Sequence, residues 1–162
     1  MIYDCVERVA DHLRANFDTE MAAVATAKGE TGLTTTAKVF EWRSIETMLE
    51  AAYPAICVYA GATADVEVPI PRGGTADSDT RAQISVEYVA KGTDPRKIEV
   101  QLALAAEAVR NLMLDVWPSG TVWGAGPSLS FSFNRPMQDV ESELYENYWH
   151  AFVPIQQRDT VT

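Results

Sequence analysis

Two segments of the chain repeat apolar residues at helical spacing. In the first, the apolar positions advance by steps of four, three, four and four: Ile2, Val6, Val9, Leu13 and Phe17. A period of 3.6 residues places such positions on one face, so residues 2–17 are predicted to form an amphipathic helix. Asp18 or Thr19 then suits a helix N-cap, which predicts a separate short turn over residues 20–27. The polar run at residues 28–36 predicts a loop.

The second helical segment has a defined beginning. Asp94 can accept hydrogen bonds from the free N–H groups of a first helical turn, and Pro95 suits the first helical position, where no N–H is needed. From there the apolar positions advance by four, three, four, three and four residues: Ile98, Leu102, Ala105, Val109, Leu112 and Val116. Pro118 and Gly120 end the pattern. We expect a long helix with one buried stripe.

Several other segments are typical of β-strands. Residues 82–90 alternate apolar and polar side chains, which predicts a strand with one buried face. Residues 55–59 are continuously apolar, which predicts a central strand that is covered on both faces. Residues 66–70 alternate and predict a half-exposed strand, and the polar residues 71–79 predict a loop that joins it to the strand at 82–90.

The remaining segments complete the predicted sheet. Residues 129–133 and 148–155 are predicted to be strands, the latter followed by a polar tail. Residues 39–45 favour a strand, whereas residues 44–52 have helical spacing, so both interpretations stay open there. The element order predicts one α+β domain over residues 1–162. We expect two layers: a mainly antiparallel sheet with an extended β-hairpin, and two helices packed on one face of it.

Charge and cysteine content narrow the function. The chain of 162 residues has a formal net charge of -10, the wrong sign for attraction to nucleic-acid phosphates, so we expect no stable nucleic-acid binding. Cys5 and Cys57 lie in apolar stretches and are predicted to be buried free thiols. No apolar run is long enough to span a membrane, and residues 1–17 carry charges where a signal peptide needs an apolar core. We therefore expect no membrane partner.

Catalytic and ligand-binding motifs are absent from the sequence. His12 and His150 are the two histidines, and neither lies in a nucleophile–base motif or beside a glycine-rich phosphate loop. Asp77 and Asp79 lack the spaced ligands of a cation site, and Asp139, Glu141 and Glu143 favour a solvated edge or charged interface. The four tryptophans are too scattered for a stacking platform and favour core or subunit-contact roles: Trp42, Trp117, Trp123 and Trp149. We expect no catalytic residue, cofactor or metal, and predict that the protein is not an enzyme.

The order of elements resembles the tail terminator proteins of long-tailed bacteriophages, also called tail completion or head-to-tail joining proteins. The likeness covers nearly the whole chain. It is carried by the helix at residues 2–17, the strand at 53–61, the strand-to-helix unit at 81–113, and the closing strand at 148–155 with the following Gln156, Gln157 and Arg158. Residues 28–38 and 118–128 are longer than a minimal member of the family needs.

The resemblance implies a structural virion protein that caps the completed tail tube as a hexameric ring and forms the joint to the head. Its partners would be its own copies, the tail tube protein and a neck or head completion protein, and it would lie at the head-proximal end of the tail after assembly in the host cytoplasm. Alternatives are another neck component, such as a head completion or connector protein, or an unrelated small-molecule enzyme or binding module. The predicted assembly residues are Arg72, Asp77, Asp79, Arg81, Trp149 and Phe152.

Overall fold

The computed structural model describes residues 2–47, 54–66, 70–72, 75–114, 124–125, 129–134, 137–138 and 144–161, with side chains at 2–46, 54–61, 82–113, 129–134 and 144–155. Its helices are α1 (Ile2–Ala27), α2 (Pro95–Leu114) and a 3-10 helix (Ile45–Thr47). Its strands are β1 (Lys38–Glu41), β2 (Ala55–Val66), β3 (Ile70–Arg72), β4 (Thr75–Gly92), β5 (Gly124–Ala125), β6 (Ser130–Phe133), β7 (Met137–Gln138) and β8 (Tyr145–Val161).

The strands form one mixed, mostly antiparallel sheet. Its order is β1-β2-β4-β8-β5, with β3 beside β4 and with β6 and β7 beside β8. The pairing of β1 with β2 is parallel, and every other described pairing is antiparallel. Helices α1 and α2 pack together and share the hydrophobic core with β2, β4 and β8. The predicted α+β, two-layer fold is confirmed.

Helix α1 is longer than its predicted first part. The sequence predicts a break at Asp18, but the helix continues to Ala27. The apolar stripe explains the difference, because Met21 and Val24 follow Phe17 at steps of four and three and are buried with it. Neither helix in the described part of the chain has the length and apolarity to cross a membrane.

Helix α2 begins where the sequence predicts. The Asp94 carboxylate accepts hydrogen bonds from the backbone N–H groups of Arg96 at 3.0 Å and Lys97 at 3.4 Å. These bonds satisfy two of the free donors in the first turn. The predicted stripe is buried at its described positions: Ile98, Leu102, Ala105, Val109 and Leu112. The predicted buried stripe of α2 is therefore confirmed at these positions.

The segment predicted as a loop is largely β-strand. Residues 71–79 were expected to form a polar loop, but β3 and β4 extend into this range. Strand β4 pairs with β8 throughout, from Ala76 opposite Val161 to Gly92 opposite Tyr145. A strand with partners on either side gains ladder hydrogen bonds that outweigh the weak β-propensity of aspartate and serine. The predicted polar tail after residue 155 is, for the same reason, part of β8.

Strand β2 also runs past its predicted end. Gly61 was expected to close a short strand, but β2 continues to Val66, with a shift of register between Ala60 and Ala64. The separate strand predicted at residues 66–70 is therefore wrong at its start, since Val66 belongs to β2. Of residues 39–45, which are ambiguous in the sequence, 39–41 belong to β1, 45 begins the 3-10 helix, and 42–44 lie between the two elements.

Both faces of the central sheet are covered. Ile84, Val86 and Tyr88 face the helices, as alternation predicts, but Ser85 and Glu87 on the opposite face are also buried, 2% and 7% exposed. The 3-10 helix lies beside β4. The prediction of one exposed face for residues 82–90 is therefore wrong at these positions. The prediction that residues 55–59 are central in the sheet is confirmed.

Candidate interaction surfaces

The long strands continue as a paired ribbon that we call the arm. We define the arm as residues 64–66, 70–72, 75–81 and 156–161. The arm segment of β4, residues 75–81, would span roughly 24 Å at the usual rise of an extended strand. The predicted extended hairpin is present as this arm.

Four of the predicted assembly residues lie in the arm. Arg72 is opposite Thr75 in the β3–β4 pairing, and Asp77 is opposite Thr160 in the β4–β8 pairing. Asp79 and Arg158 occupy opposite positions on β4 and β8. Arg81 lies opposite both Asp65 and Gln156, one on each side. The register thus places two pairs of oppositely charged residues across one three-stranded ribbon, Asp79 with Arg158 and Arg81 with Asp65. The interpretation of Asp77 and Asp79 as loop residues is corrected, because both are strand residues.

The other two predicted assembly residues lie apart from the arm. Trp149 is fully buried, stacks on Tyr88 with ring centroids 5.8 Å apart, and donates a hydrogen bond to the Leu102 carbonyl. Trp149 therefore belongs to the core of the subunit, and its prediction as an assembly residue is corrected. Phe152 is half-buried on the opposite face of the sheet, and its ring centroid lies 4.4 Å from that of His150.

The face opposite the helices carries a row of polar side chains. Cys57, Glu87 and His150 occupy adjacent positions on β2, β4 and β8. Tyr59 hydrogen-bonds to Glu87, and burial together with this bond raises the pKa of its hydroxyl. The Nε2 atom of His150 is buried and has no hydrogen-bond partner among the described residues. The row therefore combines satisfied polar groups with one buried, unpaired nitrogen.

The geometry of this row does not support a thiol nucleophile. Nucleophilic catalysis needs a base within hydrogen-bond reach of the thiol, but Glu87 lies between Cys57 and His150. Burial, with the neighbouring Glu87 charge, raises the pKa of Cys57 to about 12, so the thiol stays protonated at neutral pH. Both cysteines are buried and free, as predicted. Among the described residues, no group of three histidine, cysteine or acidic side chains is placed to hold a metal ion.

His12 has a structural role between the two helices. Its Nε2 atom lies 3.2 Å from the carbonyl oxygen of Leu112 on α2, and Asn16 Nδ2 lies 3.2 Å from its Nδ1. An Nε2–H tautomer satisfies both contacts, because that nitrogen donates while Nδ1 accepts. His12 is packed against α2.

Four large apolar side chains are exposed in the described part of the chain: Tyr3, Trp42, Phe133 and Tyr148. The exposure of Tyr3 and Phe133 is not predicted from the sequence, because both residues lie in elements whose apolar pattern predicts burial. The sequence groups Trp42 with three other tryptophans as core or contact residues, and the structure separates Trp42 on the surface from Trp149 in the core. Trp117, Trp123 and the acidic residues 139, 141 and 143 lie outside the described residues.

No protein-family model matches the chain, and no curated protein matches its sequence.

Proposed function

We propose that this chain is a structural virion protein that caps the completed tail tube of a long-tailed bacteriophage. In this role six copies form a ring, one face of the ring closes the tube, and the other face forms the joint to the head and neck. The role needs no catalytic residue, cofactor or metal. The element order of the tail terminator family and the α+β fold of the subunit support the proposal.

The observation that carries the proposal is the arm. Strands β4 and β8 remain paired over a long stretch, from Ala76 opposite Val161 to Gly92 opposite Tyr145. A narrow ribbon is marginally stable when it has no other layer to pack on. Contact with a neighbouring subunit or with the tube would stabilise such a ribbon, and the two pairs of oppositely charged positions would set its alignment.

Charge is consistent with a position around a DNA channel. A net charge of -10 per subunit repels the phosphates of passing DNA, so a ring of such subunits would not retain it. The sign of the net charge favours a passage for DNA over a DNA-binding surface.

The test uses tube subunits from the phage that encodes this chain. Purified chain added during tube polymerisation should end growth, giving shorter tubes of narrower length distribution in electron micrographs. An arm-shortened variant should fold but fail to end growth. In it, an Asn-Gly turn replaces residues 67–79, which joins the paired Val66 and Thr80, and the chain stops at Gln157, the partner of Thr80 on β8.

The matched control is Glu99→Ala, an exposed change near the start of α2, which follows the end of β4 that lies opposite the arm. It should end growth as the wild type does. Unchanged tube growth in the presence of folded wild-type chain would contradict the proposed function. Full activity of the arm-shortened variant would remove the arm from the mechanism.

A further inference from the structure

Two exposed aromatic pairs lie at opposite edges of the sheet. The Trp42 pair consists of Tyr3 on α1 and Trp42 just after β1, stacked with ring centroids 5.5 Å apart. The Phe133 pair consists of Phe131 and Phe133 on β6, with ring centroids 6.5 Å apart. Tyr3, Trp42 and Phe133 are 64%, 43% and 54% exposed. Strand β1 begins the strand order and β6 lies beyond β8, so the full width of the sheet separates the pairs.

Both pairs lie on the helix side of the sheet. Trp42 stacks on α1 and donates from its indole Nε1 to the Glu7 carboxylate at 2.7 Å. Phe131 and Phe133 lie opposite Ala151 and Trp149, two core residues, so they share the helix-facing side of the sheet. Phe131 also packs edge-on against Trp149, with centroids 5.1 Å apart. Tyr148, the fourth exposed aromatic residue, alternates to the other side.

The backbone at Trp42 is strained. Its φ angle is 58°, the left-handed region that bulky side chains rarely adopt. Three contacts hold it there: the stacking on Tyr3, the indole bond to Glu7 and a backbone hydrogen bond from its N–H to the Val58 carbonyl at 2.7 Å. Strain of this kind persists where the surroundings over-determine the conformation, which is typical of functional positions. The result is a large aromatic side chain fixed in an exposed orientation.

The described residues at the two edges of the sheet differ in charge. At β1, the Arg14 guanidinium donates to the Val39 carbonyl at 3.4 Å and pairs with the Glu41 carboxylate, which blocks strand addition. At β6, the described residues 130–134 read Ser-Phe-Ser-Phe-Asn and carry no charge. A second copy with a net charge of -10 is repelled by acidic surface. The uncharged residues that the structure describes on β6 are therefore suited to contact it.

We infer that the Trp42 pair of one subunit docks against the Phe133 pair of the next, so that each copy contributes two different surfaces to a head-to-tail contact. Different surfaces at opposite edges give a heterologous contact, which closes into a ring when the rotation suits. Rigid, exposed aromatic anchors are the side chains that dominate the binding energy of such contacts. This inference rests on the proposed function, since it names the contact that would build the ring.

Three single-site variants test the contact by sedimentation of the full chain. Trp42→Gly removes the first anchor and accepts the positive φ without strain. Phe133→Thr removes the second and keeps a strand-forming residue. Each should weaken self-association about 30-fold or more, the loss typical of a hot-spot side chain. Tyr148→Ala, an exposed aromatic residue outside both pairs, is the matched control and should associate as the wild type does.

Mixing the two deficient variants gives the sharpest result. Trp42→Gly retains an intact Phe133 pair, and Phe133→Thr retains an intact Trp42 pair, so a mixture should form heterodimers and nothing larger. Unaltered association of either variant, no heterodimer in the mixture, or a wild-type chain that stays monomeric at about 1 mM would overturn the contact. Tube capping by the wild type is measured separately. A result that overturns the contact therefore does not decide the proposed function, which is tested by the capping assay.

Discussion

The indole Nε1 of Trp149 donates a hydrogen bond to the backbone carbonyl of Leu102 over 3.0 Å, joining β8 to α2. Trp149 is 0% exposed and Leu102 is 1% exposed. The substitution Trp149→Phe removes the hydrogen-bond donor and part of the ring volume. It should lower the free energy of unfolding by about 1–3 kcal/mol. Denaturant unfolding measures the loss.

The control for Trp149→Phe is Phe152→Leu, a half-buried change on the opposite face of β8. It should cost less than about 1.5 kcal/mol, as volume-conserving apolar substitutions do. If Trp149→Phe costs no more than this control, Trp149 does not carry the contact between β8 and α2.

Gly61 is required where β2 shifts register against β4. A Cβ atom at Gly61 would lie 3.1 Å from the carbonyl carbon of Gln83 and closer still to its oxygen. Backbone must move to admit it, so Gly61→Ala should destabilise the fold by about 1–3 kcal/mol. At Gly92 the added Cβ would meet Ile98 at an ordinary 3.6 Å, and Gly92→Ala should be neutral or slightly stabilising. Equal melting temperatures for the two variants would contradict the close approach at Gly61.

The buried thiol of Cys57 predicts a loss of stability at alkaline pH. Burial raises its pKa to about 12 in the folded chain, whereas the unfolded thiol has a pKa of about 8.5. Between these pH values the folded state keeps the proton and the unfolded state releases it. The contribution of the thiol to the free energy of unfolding is therefore fully present below this pH range and is lost as pH rises through it. Burial raises the pKa of Tyr88 in the same direction.

The comparison of wild type with Cys57→Ala isolates the thiol. Between pH 8.5 and 10, about the span in which the unfolded thiol ionises and tyrosine does not, the unfolding free energy of the variant should fall less steeply. Parallel pH profiles for the two proteins would show that Cys57 does not contribute. Thiol-reactive reagents should modify neither cysteine in the native protein and both in denaturant, since both are buried.

The charge of the chain predicts no measurable affinity for duplex DNA at physiological salt. A net charge of -10 makes long-range approach to phosphates unfavourable. Fluorescence anisotropy of a labelled duplex titrated with the chain provides the measurement. Micromolar binding that weakens steeply with added salt would reveal a basic face and contradict the prediction.

The sequence predicts the elements that local physics controls. The Asp94 cap and the apolar stripe of α2 depend on neighbours within a few residues, and both are confirmed. The length of α1 is not predicted correctly because two local signals disagree. Asp18 is a favourable cap residue and indicates a break, whereas the apolar stripe continues through Met21 and Val24. Local signals compete at such points, and burial of the stripe decides the outcome.

Features set by distant pairing are harder to predict. Asp77 and Asp79 have low strand propensity, and only the long β8 beside them makes their segment a strand. Alternation in residues 82–90 indicates two faces but does not reveal that the second is covered, so the burial of Glu87 is not predictable from the pattern. Trp42 lies between Glu41 and Arg43, and Trp149 lies between Tyr148 and His150. Residue type alone does not distinguish them, and tertiary packing places Trp42 on the surface and Trp149 in the core.

The mass of the native particle, measured for the purified chain alone and after mixing with the tube subunits of the phage proposed to encode it, tests the central claim most directly. The account predicts a closed ring of six copies, formed by the chain itself or on the ends of tubes. A chain that remains strictly monomeric in both conditions would contradict it.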